Sequence, residues 1–437
     1  MSSPFRPIAH AVSRWRDDPF SRGGWSLLRT GGTPETREAL GAPFGRVILA
    51  GEATHPDQAG MVHGAFDEGA RAARWCVGQG FREVIVVGAG AAGIGAARSL
   101  RNAGITTVVL EARDRIGGRA WSVELPASQA PSRATIVMEL GANWLQQGER
   151  NTLAPFARSL GCTLVPTDFH RPLELGRPPA VGKALTGAVM NALLARVAEA
   201  TIDADRPLGA VVDAFLAAPE PFDRATVQRV IDAEVFLDTG APLSELSARL
   251  GFEAGVGAGD RWITSGYGSV LGSLVAGVDL RLGTPVERIR WSDAGVSVTH
   301  ASGELAADAV IVTVPVAVLQ EGRPRFEPPM PQPQRSALAL TVAGRVEKAA
   351  LVFGERWWPR SADGYIRIAD GPGRISEWLD LSDATGVPAI TAIVVGDWAA
   401  ELWDGHDDAS VAMRVAQVLL TATEEAGDQS SRAPTRS

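Results

Sequence analysis

EVIVVGAGAAGIGAARSLRNAGITTVVLEARDRIGGRA, residues 83–120, is the stretch whose reading decides the fold. Residues 83–87 are an apolar, β-branched run that ends in glycine, which predicts a buried parallel strand. Residues 91–103 have helical spacing, and Thr106 opens a second strand, so the stretch is one strand–helix–strand unit. Gly88, Gly90 and Gly93 fit G-x-G-x-x-G at the strand-to-helix turn. The first allows the tight turn, the second lets the backbone approach a pyrophosphate, and the third lets helix and strand pack closely. The helix start, with Ala92 in its first turn, offers free N–H groups to phosphate charge. Glu111 ends the second strand 18 residues after Gly93, where an acid binds a ribose diol. A glycine-rich structural turn would explain the glycines alone, but not strand, helix and acid in register. The expectation is a Rossmann-like dinucleotide domain.

Such a domain normally opens its chain, yet here more than eighty residues precede it. At 437 residues the chain is long enough for two or three domains. A net charge of -8 argues against nucleic acid or an anionic membrane as the main partner and leaves small-molecule chemistry favoured. Cys76 and Cys162 are too few for a disulfide framework or a thiolate metal site. The start lacks a signal-peptide pattern, and the longest apolar run, from Ala309, is short and broken by Pro315. A cytoplasmic setting is expected. Of 42 basic residues only Lys183 and Lys348 are lysines. A lysine retained against that bias invites a chemical reason, because an ammonium releases a proton more readily than a guanidinium.

Residues 147–280 show helical patterns, strands return up to about residue 312, and a Pro-rich boundary, PMPQPQ, precedes further strands and a last helix. The predicted fold class is α/β plus α+β: a Rossmann-like domain interleaved with a mixed-sheet and helical substrate domain. The expected divisions are 41–146 with 280–318 for the dinucleotide domain, and 1–40, 147–279 and 319–426 for the substrate domain. The polar tail 427–437 is expected to be disordered.

After Glu111 the chain reads ARDRIGGRAWS, and this resembles the E-A-x-x-R-x-G-G-R segment of the flavin amine oxidases. The resemblance continues through ELGANW, residues 139–144, through the strand preceded by TPVERI, and through GRVEKAALVF. It implies FAD as cofactor, with Ala112, Arg113, Gly118, Arg119, Gly141, Ala142, Asn143, Trp144 and Val286 at the cofactor. It also places Lys348 at the flavin, holding a water against N5 and assisting oxygen reduction; a solvated edge-strand lysine is the alternative.

The leading segment resembles parts that lie at the family's C-terminal end: RWRDDPFSRGGWS, from Arg14, and GEATHPDQAGMVHGA, from Gly51. The resemblance therefore implies a circularly permuted chain, with Gly51, Glu52, Met61 and Val62 at the flavin. A front segment swapped into a neighbouring subunit, or a fused remnant, are the other readings. Gly24 stands where monoamine oxidases carry a flavin-linking cysteine, which implies non-covalent FAD. Trp25 and Met61 align with the two rings of the family's aromatic cage, so the cage is half missing. Glu139 is a candidate base or amine anchor, with a cap carboxylate as the alternative.

The activity implied is oxidation of a carbon–nitrogen bond in a small amine or amide, with O2 as acceptor and H2O2 as product. A homodimer is possible. Desaturation of a carbon–carbon bond and flavin binding without catalysis are the alternatives.

Overall fold

The computed structural model of the chain describes residues 4–128, 134–169, 171–177, 181–252 and 259–432. Five short strands form a fully parallel sheet in the order Asp279–Arg281, Thr106–Leu110, Glu83–Val87, Ala309–Val312, Val47–Leu49. Alternate residues of its central strand enter different cores. Val84 and Val86 pack with Ala72, Cys76, Ala97 and Leu100, whereas Ile85 and Val87 pack with Leu40, Phe44, Ile289 and Val298. Burial on both faces is why this strand reads as a continuous apolar run.

Helices Val62–Gly78 and Ala91–Asn102 cover one face, nearly backbone to backbone. A Cβ on Gly69 would stand 1.9 Å from the Ala92 carbonyl oxygen, and one on Gly95 would stand 2.3 Å from that of Phe66. Any side chain at either position would force the helices apart.

The second sheet has the order Ala9–Val12, Val346–Val352, Ala389–Val395, Ile375–Asp380, Tyr365–Asp370, Leu173–Arg177. Its pairs are antiparallel except the last. Helix Asp408–Arg432 lays Val411, Val415 and Leu419 against Leu351, Trp378 and Ile390 of this sheet. Helices Lys183–Ala200, Leu208–Ala217 and Arg224–Ile231 build a separate core around Phe215. The last of these is capped by the Asp223 carboxylate, which accepts from Thr226 N at 2.9 Å, and it continues as the π turn Asp232–Phe236.

The front segment enters the same molecule twice: Ala9–Val12 edges the mixed sheet, and Val47–Leu49 edges the parallel one. Helix Val62–Gly78 then turns into strand Glu83–Val87. The final helix runs through Arg432, six residues into the tail expected to be disordered, because EEAGDQSSR holds good helix formers and a single glycine. Residues 433–437 lie outside the described residues. Among the described residues no helix is long and apolar enough to cross a membrane, and no group of three His, Cys, Asp or Glu is placed to hold a metal ion.

Candidate active site

A cleft of about 720 Å³ opens between the carboxyl ends of the parallel strands, at Val87 and Leu110, and the mixed sheet, at Val346, Lys348 and Ile393. Ligands of open α/β sheets bind at this end of the strands. Gly88 turns the chain with φ +103°, a conformation that L side chains rarely adopt. A Cβ on Gly93 would stand 1.8 Å from the Gly88 carbonyl oxygen, so Gly93 sits behind the cleft and packs helix on strand. A Cβ on Gly90 would meet only the Gly117 carbonyl oxygen, at 4.0 Å, and Gly90, Ala91 and Ala92 line open space. Room at the second glycine, beside the start of a twelve-residue helix, fits a pyrophosphate. Glu111 is buried at the cleft edge and accepts from Ala89 N at 2.7 Å and Arg113 N at 2.9 Å.

The two arginines of the following loop line the cleft, and the front segment holds both. Arg113 donates to Asp18 Oδ2 at 2.7 Å and to Ser21 Oγ at 2.7 Å. Arg119 donates to Glu52 Oε1 at 3.1 Å and to the Gly24 carbonyl oxygen. The carboxylates of Asp18 and Glu52 pair with guanidinium groups that the resemblance places at the cofactor.

Glu52 is buried, and its other oxygen accepts from Ser26 Oγ at 2.7 Å and Gly60 N at 2.9 Å. Burial would raise its carboxyl pKa, but the charges of Arg119 and Arg37, with the Ser26 and Gly60 hydrogen bonds, hold it below the usual range. Gly51, Met61 and Val62 line the same wall, where helix Val62–Gly78 begins and its dipole presents partial positive charge. Gly118, Ala142 and Val286 line it too, as does Ala112. Gly141 belongs here because a Cβ would stand 1.8 Å from the Arg119 carbonyl oxygen.

Lys348 is buried where the mixed sheet meets this wall, and its Nζ donates to the Gly141 carbonyl oxygen and to Asn143 Oδ1. The ammonium stands 5.6 Å from the Trp144 ring. Burial pushes its pKa down to about 7, against the raising charges of Glu139 and Glu377. Trp25 and Met61 line the cleft together, and the Met61 sulfur accepts from Gln147 Nε2 at 3.7 Å.

Glu139 departs from expectation: it does not line the cleft. Its carboxylate accepts from Ser122 Oγ at 2.7 Å and Tyr267 N at 2.5 Å, at the start of helix Gly266–Leu274. It is the helix-capping carboxylate, drawn there by the unsatisfied N–H groups of the first turn. Burial pushes it up to about 7.

Sequence reasoning missed the acidic end of the cleft. Glu234, Asp238 and Glu377 line it beside Arg367. Arg367 is 3.0 Å from Glu234, 3.6 Å from Glu377 and 3.9 Å from Glu174, so its charge is answered several times over. Burial, with Glu234 adding to it, pushes Asp238 up to about 7, and burial and the same acidic neighbours raise Glu377 well above the carboxylate range. The only signal in the sequence was five acids set among apolar residues in two segments, DAEVFLD and ISEWLD.

A cleft at a glycine turn, faced by a buried lysine on a second sheet, suits a dinucleotide cofactor. The family profile described as flavin containing amine oxidoreductase matches residues 2–76 and 91–432. The mouse lysine-specific histone demethylase 1B is 32% identical over 350 residues, 74% of this chain and 41% of its own length. Polyamine oxidase 2 of Arabidopsis thaliana is 28% identical over 361 residues, covering 77% of this chain and 71% of its own. Among solved structures, cyclohexylamine oxidase from Brevibacterium oxydans aligns with a TM-score of 0.56 at 21% identity, over 78% of this chain and 81% of its own. A redesigned putrescine oxidase aligns with a TM-score of 0.55 at 20% identity, over 77% of this chain and 82% of its own; both share the fold. The chain spans about two-fifths of the length of the mouse and human histone demethylases it matches. The chain belongs to the flavin-containing amine oxidoreductases.

Proposed function

We propose that the protein is an oxidase of small cationic amines that binds FAD without a covalent link. When bound, the flavin would supply the redox chemistry, as acceptor of a hydride from the carbon next to nitrogen and as electron donor to O2. The glycine turn at Gly88 and Gly90 and the start of helix Ala91–Asn102 would hold the pyrophosphate. The start of helix Val62–Gly78 would stabilise negative charge on the ring by its dipole. Trp25 and Met61 would flank the substrate nitrogen, and Met61 leaves more room than a second ring would. Lys348 would order water at the flavin and give or take its proton near neutral pH.

The observation that carries the substrate reading is the acidic end of the cleft. Burial holds protons on Asp238 and Glu377 near neutral pH, and an ammonium beside them would favour their ionised forms, whereas a substrate carboxylate would meet only Arg367, which Glu234 already pairs at 3.0 Å. The names of the polyamine and putrescine oxidase relatives agree with that choice. The test is anaerobic reduction of the bound flavin by matched pairs: diamines, monoamines of equal length and the corresponding amino acids. Diamines should bleach the flavin at the lowest concentration. No bleaching by any amine would refute the activity, and preference for amino acids would refute the substrate class.

The chain order is, in our reading, a circular permutation of the family's order. Its support is that Val47–Leu49 and Val62–Gly78, which precede the glycine turn, sit in the parallel sheet and along the cleft. The cofactor domain would then be 41–146 with 280–318, and the remainder up to 426 the substrate domain.

A further inference from the structure

We propose that Asn143 is a positioning residue for Lys348: its carboxamide oxygen, with the Gly141 carbonyl, fixes the ammonium at the cleft wall and orients it toward the flavin. The inference rests on the reading of Lys348 above.

An ammonium has three N–H donors and accepts nothing, so Asn143 must present its oxygen to Lys348. Two donors are taken by these uncharged acceptors, and one is left for a ligand or water in the cleft. The cradle is rigid from both sides. Leu140 N donates to the Trp121 carbonyl at 2.8 Å, and Ala142 N to the Arg119 carbonyl at 3.1 Å. Trp15 Nε1 donates to the Leu140 carbonyl at 2.8 Å, which pins the stretch that carries Asn143. Across from it, Lys348 N donates to Ser13 Oγ at 2.8 Å and its carbonyl accepts from Ser13 N at 2.8 Å, so the lysine backbone is fixed by the front strand.

The choice of an amide matters chemically. Glu139 and Glu377 are the acids whose charges act on Lys348, with Asp238, Glu234 and Arg367 beyond Glu377 and the Trp144 ring alongside. A carboxylate at position 143 would add a full negative charge at hydrogen-bond distance and lock the lysine in its protonated form. An apolar side chain would leave a buried ammonium short of an acceptor and favour loss of the proton. The amide orders the group without locking its charge.

Composition makes the test direct. The chain has two lysines, and Lys183 is exposed at the start of its helix. Protein labelled with 13C at lysine Cε therefore gives two signals, and the buried one reports Lys348 in both the apo and the flavin-loaded protein. Asn143→Asp should raise its titration midpoint by about 1–3 pH units, the effect of an adjacent opposite charge. Asn143→Leu should lower it by about one unit. The pH profile of flavin reoxidation by O2 should move in the same directions. Unchanged Lys348 midpoints in folded variants would overturn the proposal, and if the Leu variant does not fold, the Asp variant decides alone. Lys348→Met separates the two ideas. If it leaves reoxidation untouched, the role of the lysine falls, whereas shifted midpoints still establish that Asn143 positions it.

Discussion

Arg119 reaches Glu52 at 3.1 Å, joining the loop after the second dinucleotide strand to the segment that precedes the first. The same guanidinium donates to the Gly24 carbonyl, so two stretches of the front segment converge on one side chain. The wall of the cleft is closed by charge between parts of the chain that the sequence keeps far apart.

Glu52→Gln keeps the shape and removes the charge. Flavin affinity should fall about tenfold, the effect of losing roughly 1–2 kcal/mol of charge-assisted hydrogen bonding. Because the folded carboxyl pKa is held below 4.5, Glu52 contributes stability that is fully present above that value and is lost as pH falls through the folded one. Acid release of flavin, followed by fluorescence below about pH 4.5, should therefore be steeper in the wild type than in the variant. Parallel curves would exclude this role.

Gly90 and Gly93 predict opposite failures. Gly93→Ala drives a methyl into the Gly88 carbonyl, 1.8 Å away, and should cost soluble, folded protein. Gly90→Ala meets protein only at 4.0 Å, so the apoprotein should melt within about 2 °C of the wild type while flavin affinity falls tenfold or more. Circular dichroism and flavin titration of the pair distinguish the two.

Asp238→Asn tests the acidic end. The folded pKa of Asp238 is raised from 3.8 to about 7, so its ionisation costs stability above pH 7 and costs nothing below 3.8. The variant apoprotein should melt higher than the wild type at pH 8, by on the order of 2 °C, and equally at pH 3.5. Its KM for a diamine should rise about tenfold, with little change for a monoamine, because only the second charge loses its partner. Equal KM changes for both would place Asp238 outside substrate recognition.

Chain order can be tested by undoing it. A variant that starts at Gly80, runs through Arg432 and continues through a flexible linker into residues 4–79 should fold and bind flavin as the wild type does. A Gly/Ser linker of about twenty residues spans roughly 25 Å. Loss of flavin binding in a soluble variant would show that the present order is needed.

Local rules reached the glycine turn, both dinucleotide strands and their helix, because each is decided within a few residues of itself. The packing role of Gly93 is of that kind, since a Cβ there would stand 1.8 Å from the Gly88 carbonyl oxygen. The partners of Arg113 and Arg119 were not legible, since Asp18 and Glu52 come from another part of the chain and either arginine suits a phosphate equally well. Glu139 shows the same limit. Whether it faces the cleft or the start of helix Gly266–Leu274 depends on packing between segments more than a hundred residues apart. Glu234, Asp238 and Glu377 arrive on a π turn, the short helix that follows it and a strand, where no periodicity marks a shared destination.

The contact of Gly69 with Ala92 and of Gly95 with Phe66 makes the two helices a caliper with locked jaws. One jaw opens at Ala91 and the other at Val62, and neither can slide to suit a shorter guest. A bound dinucleotide would reach both helix starts, whereas a mononucleotide would reach only one. Stripped protein mixed with equal FAD and FMN should therefore retain the former on ultrafiltration and let the latter through.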